Sequence, residues 1–261
     1  MTPSQALALL AASAAAGVMN AMAGGGTIIT YPTLLLAGVP AIVANATSTV
    51  ALLPGTIASM AGYRREVATH RHWLKTLFLP SLLGGTLGAV LLLRTPEKTF
   101  AQLAPALILF ATVLFMVQGV VRKRAVKASV AEETIAPVPS PGNWLLAAVA
   151  QLGVAVYGGY FGAGAGILML AILGFLGLSN IHAMNGLKNF FGLAINLTAA
   201  VYFIARGAVH WPAALVMIAG AVAGGYGGAR FARRIGQERA RAAVVAIGLL
   251  MAALLFWQQA R

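Results

Sequence analysis

The 261 residues include no cysteine. That excludes disulfides, thiolate metal sites and cysteine redox chemistry. Charge is scarce too, at 9% of residues, where a soluble domain carries about 25%. The five acidic residues are Glu66, Glu97, Glu132, Glu133 and Glu238, and none lies within an apolar run. Proton relays and cation carriers rely on intramembrane carboxylates or histidines, so both classes are disfavoured. His70, His72, His182 and His210 all sit near run ends, where an interfacial side chain is the plainer reading. No group supplies the clustered His, Cys, Asp or Glu of a metal site, and no cofactor is expected. No G-x-S-x-G or H-E-x-x-H pattern occurs, so the chain does not read as an enzyme. MTPSQ has no basic residue ahead of its apolar run, unlike a cleaved signal peptide.

What is abundant is hydrocarbon: 60% hydrophobic residues and a mean hydropathy of +0.86. The polar surface is too small to cover a globule, so lipid must be the solvent. The expected class is an all-α polytopic membrane protein of the inner or plasma membrane. Apolar runs fall at about 5–22, 27–37, 41–62, 73–93 and 100–121, then at about 144–160, 165–177, 181–205, 211–229 and 240–258. Between them, RKRAVKASVAEETIAPVPSPGN reads as a surface linker, by its charges and prolines. The expected organisation is a first membrane repeat (1–121), a cytoplasmic linker (122–142) and a second repeat (143–261). A net charge of +13 would suggest nucleic acid for a soluble domain. Here the charges occupy short loops, so the expected partners are the bilayer and a small anion, with a homo-oligomer left open and no nucleic acid.

Shifting the first half by 139 residues brings Gly38 onto Gly177, Tyr63 onto Tyr202, Gly85 onto Gly224 and Gly88 onto Gly227. The order of long and short runs also matches. Lys and Arg number four in 63–75, four in the linker and five in 230–241, against two in 94–98 and one in 206–210. The rich loops belong inside, which puts both termini outside. Loops that correspond between the halves then lie on opposite sides, as in an inverted-topology repeat. The expectation is about eight full spans plus two short segments.

Runs 27–37 and 165–177 are the short ones. Eleven residues reach only about 16 Å, half the hydrocarbon core. Glycines precede each: Gly24, Gly25 and Gly26 in one half, Gly158, Gly159, Gly162, Gly164 and Gly166 in the other. Each half is expected to break a helix near mid-membrane, which is tolerated only beside protein or a wet cavity. A helix starting after Gly26 aims N–H groups and a positive dipole end at the break, which suits an anion. Thr27 adds a hydroxyl. The plainer alternative is that these glycines only let helices pack closely.

Two further runs carry polar stripes. Asn185, Lys188, Asn189, Gly192 and Asn196 share one helical face. Asn45, Ser48, Thr49, Thr56 and Ser59 do much the same, and the 139-residue shift brings Thr49 onto Lys188. A charge near the bilayer centre costs roughly 2.5–3.5 kcal/mol, so Lys188 either lines a polar pocket or snorkels to the interface. The neighbouring Asn185 and Asn189 favour the pocket.

NAMAGGGTIITYPTLLLAGVPAIVANATSTVALLPGTIASMAGYRR resembles the first-repeat signature of the sulfite exporter TauE/SafE family of membrane permeases. The shared features are a glycine cluster, a proline, a G-V-P turn, an A-x-x-T-S stretch and a tyrosine followed by arginines. YFGAGAGILML, NGLKN and INLTAAVYF resemble the looser second repeat, with a departure at Asn185–Gly186. The resemblance implies a transporter of small sulfur-containing anions such as sulfite, sulfoacetate or other sulfonates, acting as an exporter. It implies that Gly24, Gly25, Gly26, Thr47, Ser48 and Thr49 line one side of the site, and Lys188, Asn189 and Asn196 the other. The full candidate site is these residues with Thr27, Asn45, Gly164 and Asn185. The alternatives are an importer of an organic or inorganic oxoanion, a non-transporting membrane assembly subunit, and an intramembrane enzyme.

Overall fold

The computed structural model describes residues 1–22, 25–61, 67, 70–129, 141–178, 180–235 and 237–259. Among them are ten helices and no strand. In chain order they are α1 (Pro3–Met22), α2 (Thr27–Leu36), α3 (Ala41–Ala61), α4 (Arg71–Arg94), α5 (Glu97–Ser129), α6 (Pro141–Tyr160), α7 (Ala165–Phe175), α8 (Ile181–Ala205), α9 (Trp211–Ile235) and α10 (Gln237–Gln259). In hydrocarbon every backbone group must be satisfied within the protein, which selects helices. Among the described residues, His72–Arg94, Glu97–Val117 and Ala183–Ala205 are long and apolar enough to cross a membrane. Several shorter apolar helices accompany them, including Ala41–Ile57, Trp144–Tyr160 and Trp211–Gly225. Leu79, Leu83, Leu87 and Leu91 recur every four residues along α4 and are exposed. A stripe of that kind belongs against lipid.

The basic stretch 122–129, with which the expected linker begins, is helical and continues α5. It holds no glycine or proline to stop a helix, and its Arg, Lys and Ala are good helix formers. At the other edge Pro141 opens α6, where proline's missing N–H is no loss. The rest of the expected linker, 130–140, lies outside the described residues.

Small residues set the closest packing. α1 lies on α9 and α6 lies on α4. A side chain at Gly224 would collide with the backbone of Ala14, and one at Gly88 with the backbone of Val156 and Tyr160. Glycine is what lets those backbones touch. α3 packs on α9, α8 on α4, α3 on α8 and α5 on α10. α2 touches α10, and α7 touches α5.

Long-range bonds identify the two ends of the bundle. At one, Gln5 Nε2 donates to the Ala37 carbonyl at 3.3 Å, and the Glu97 carboxylate accepts the Ala41 and Ile42 N–H groups. His210 N–H donates to Thr47 Oγ1 at 2.9 Å, and Gln259 Nε2 to the Ala101 carbonyl at 2.8 Å. This is the N-terminal face, where α1 begins and α10 ends. At the other end, the Trp144 ring meets His72 and Trp73 at 4.3 and 4.9 Å. Leu173, Leu178 and Met184 share a buried cluster with Trp73. This is the Trp144 face, where α6 begins and α7 ends.

Candidate functional site

A glycine in the left-handed region precedes each short helix, directly in α7 and one residue before the Gly26 cap in α2. Gly25 has φ +97° and Gly164 φ +80°. The Gly25 carbonyl accepts the Ile28 N–H at 3.0 Å, and the Gly164 carbonyl accepts the Ile167 N–H at 2.9 Å. Both helices also end alike. Gly38 N–H bonds the Leu35 carbonyl and Val39 N–H the Leu34 carbonyl; Gly177 and Leu178 make the same bonds to Gly174 and Leu173. Paired closures of this form are a glycine-capped helix end. So α2 runs from the bundle interior to the N-terminal face, and α7 from the interior to the Trp144 face.

Their starting ends open onto one cavity, with an empty volume of about 750 Å³ that includes its open side. Gly25 and Thr27 line it from α2, and Ala165 and Gly166 from α7. Thr49, Leu52 and Thr56 line it from α3, and Lys188, Asn189, Gly192, Ile195 and Asn196 from α8. Asn20 lines it from α1, with Gly158, Gly162 and Met169 completing the wall. Lys188 is 5% exposed and Asn189 7%. The Lys188 stem lies along Gly166: a Cβ there would sit 3.2 Å from Cδ and 3.5 Å from Cγ. The glycine leaves the room that the stem fills.

Of the residues expected from sequence, Gly25, Thr27, Thr49, Lys188, Asn189 and Asn196 are thus together in the cavity wall. Gly26 sits just behind it, its N–H donating to Asn20 Oδ1 at 2.9 Å, and Gly164 caps α7 beside Ala111 and Leu114. The cavity lining does not include Asn45, Thr47, Ser48 or Asn185. Asn45 Nδ2 donates to the Tyr160 carbonyl at 2.9 Å, Thr47 accepts from His210, and the Ser48 and Thr30 hydroxyls are 2.6 Å apart. Asn185, half-buried, lies one turn from Lys188 toward the Trp144 face. Gly24 and the side chain of His182 fall outside the described residues. Asn20 is the residue that sequence reasoning missed. A lone asparagine in an alanine-rich run carries no stripe, and its only signal is its place just before the glycines.

The wall is chemically one-sided. Among the described residues it holds one cation, three asparagines and three threonines, and no carboxylate. Thr49 and Thr56 donate their hydroxyl protons to the carbonyls of Asn45 and Leu52, at 3.0 and 3.1 Å. Asn20 Oδ1 is engaged by Gly26, which leaves its amide Nδ2 to face a ligand. The donors suited to an anion are therefore the Lys188 ammonium, the asparagine amides and the two helix starts.

Residues 9–255 match the family described as Sulfite exporter TauE/SafE. The chain belongs to that family. A "Probable membrane transporter protein" of Haemophilus influenzae is 26% identical over 248 residues, covering 94% of this chain and 91% of that one. The "Probable membrane transporter protein ORF9" of Sinorhizobium sp is 26% identical, covering 94% and 89%. The "Probable membrane transporter protein YfcA" of Escherichia coli K12 is 25% identical, covering 93% and 86%. No solved structure matches this TauE/SafE chain significantly. Family and relatives together make it a membrane transporter protein.

Proposed function

We propose that this TauE/SafE protein exports small sulfur-containing oxoanions, such as sulfite or sulfonates, by alternating access around the cavity. The observation that carries this reading is the buried ammonium of Lys188 beside the starting ends of two short helices, in a wall whose described residues include no carboxylate. Both helix starts and the ammonium favour negative charge. The family's description supplies the sulfur chemistry.

An inverted repeat of about eight full spans and two short segments gives the cavity its place. Three observations support it. The shift of 139 residues that carries Gly25 onto Gly164 also carries Gly38 onto Gly177, with matching conformations and bonds. Exchanging the first five helices with the last five turns α1·α9 into α6·α4 and α3·α9 into α8·α4, and leaves α3·α8 and α5·α10 unchanged. The first half starts at the N-terminal face, while the second starts at the Trp144 face. Arg71 and Lys75 flank Trp73 on the Trp144 face, which the positive-inside rule makes cytoplasmic in the inner membrane. Both termini then lie outside. An anion leaving a negative interior gains roughly 2.3 kcal/mol per charge per 100 mV, so export can proceed without a coupling ion.

Flux of labelled sulfite and a labelled alkyl sulfonate into proteoliposomes tests this reading. Wild-type protein should give saturable flux and Lys188→Ala should lose it. Equal flux from both would remove Lys188 from the site. No flux of any oxoanion would favour the assembly-subunit alternative.

A further inference from the structure

One turn of α2 beyond Thr27, toward the N-terminal face, lies a buried aromatic layer. Tyr31 of α2, Phe100 of α5 and Phe161 beyond α6 are at most 1% exposed. Their rings meet edge-on, with centroids 5.5 Å apart for Tyr31–Phe161 and 6.2 Å for Tyr31–Phe100. Tyr160 joins at 5.6 Å from Phe100, and Asn45 of α3 holds the Tyr160 carbonyl. The short segment Tyr160–Phe161 is thus where the second half of the chain plugs into the first. Gly158 and Gly162 flank it and line the cavity, and Gly162 has φ +80°. Gly158, in the last turn of α6, and Gly162 beyond it let such a segment swing by loosening that last turn alone.

Two atoms in this layer do not suit a permanent core. Tyr31 Oη and Asn45 Oδ1 are buried without a hydrogen-bond partner among the described residues. Buried polar atoms are nearly always satisfied, and each exception calls for an explanation. A layer that opens provides one, because water reaches both atoms in the open state. We propose that Tyr160–Phe161, latched by Asn45 and seated on Tyr31 and Phe100, is the gate at the N-terminal face. The inference takes its purpose from the transporter reading, but its test requires no flux.

The chain lacks cysteine, so Thr49→Cys gives a single reporter in the cavity. Lys75→Cys, an exposed position on α4 two residues from Trp73, marks the Trp144 face. Each is exposed to a membrane-impermeant maleimide in right-side-out and inside-out vesicles. Thr49→Cys should label from the face that labels Lys75→Cys, and little from the other. Adding Asn45→Ala or Phe161→Leu should raise labelling from the N-terminal face about tenfold, as loss of one buried hydrogen bond or its packing equivalent would. Retained labelling from the Trp144 face shows that the variant is folded. Unchanged access at the N-terminal face in both variants overturns the gate. So does a parent labelled from both faces or from neither, or loss of labelling from both faces in both variants. A protein that moves no oxoanion can still show the gate, so the two readings fail separately.

Discussion

At the residue scale, Lys188 and Gly166 act as one unit. The lysine stem rests where a larger residue 166 would place its Cβ, 3.2 Å from Cδ. Gly166→Ala should push the ammonium by a few tenths of an ångström and raise the KM for oxoanion flux severalfold, with maximal rate changed less. Ser48→Ala offers the contrast. Ser48 bonds Thr30 rather than facing the cavity, so its loss should cost about 0.5–1.5 kcal/mol of stability and leave KM unchanged. The pattern of polar residues on α3 marked the side that meets the cavity but not its limits. Asn45, Thr49, Leu52 and Thr56 are spaced at four, three and four, and share a side. Ser48 and Thr47 are one and two steps round the helix from Thr49, and so meet α2 and the start of α9. Asn45 is on the right side but a turn too near the N-terminal face, where Tyr160 takes it. Depth along a helix is set by packing, which a single sequence does not encode locally.

At the scale of elements, the two short helices were the most legible part of the fold. Glycine clusters before them, and lone Gly38 and Gly177 after them, mark both ends by backbone chemistry alone. Gly164→Ala forces a side chain into φ +80°, a conformation that costs of order 1–3 kcal/mol for other residues. Its apparent melting temperature in detergent should fall by several degrees. Gly88→Ala should fall further, since its Cβ meets backbone of Val156 and Tyr160 rather than a side chain that can yield. Gly153→Ala, with nothing within 4 Å, should be neutral or slightly stabilising, because alanine favours a helix by about 1 kcal/mol. A comparable drop in all three would mean that close helix approach does not govern this bundle. The end of α5 was less legible. A run of charges reads as loop by polarity, yet nothing in RKRAVKAS stops a helix.

For the whole molecule, two short helices that run in opposite directions start at one cavity, and under the proposed inverted repeat only one of two related positions in its wall is charged. Lys188 stands on α8 where α3 has Thr49, both in the wall. On that reading the charge of the wall is asymmetric, and substrate translocation should move net negative charge. The direct measurement is the transient current after an oxoanion concentration jump over proteoliposomes on a solid support. Wild-type protein and Lys75→Met, which alters an exposed lysine, should give saturable currents of the sign of an entering anion. Lys188→Met should give none. Equal currents from Lys188→Met and wild type would contradict an anion site built on Lys188.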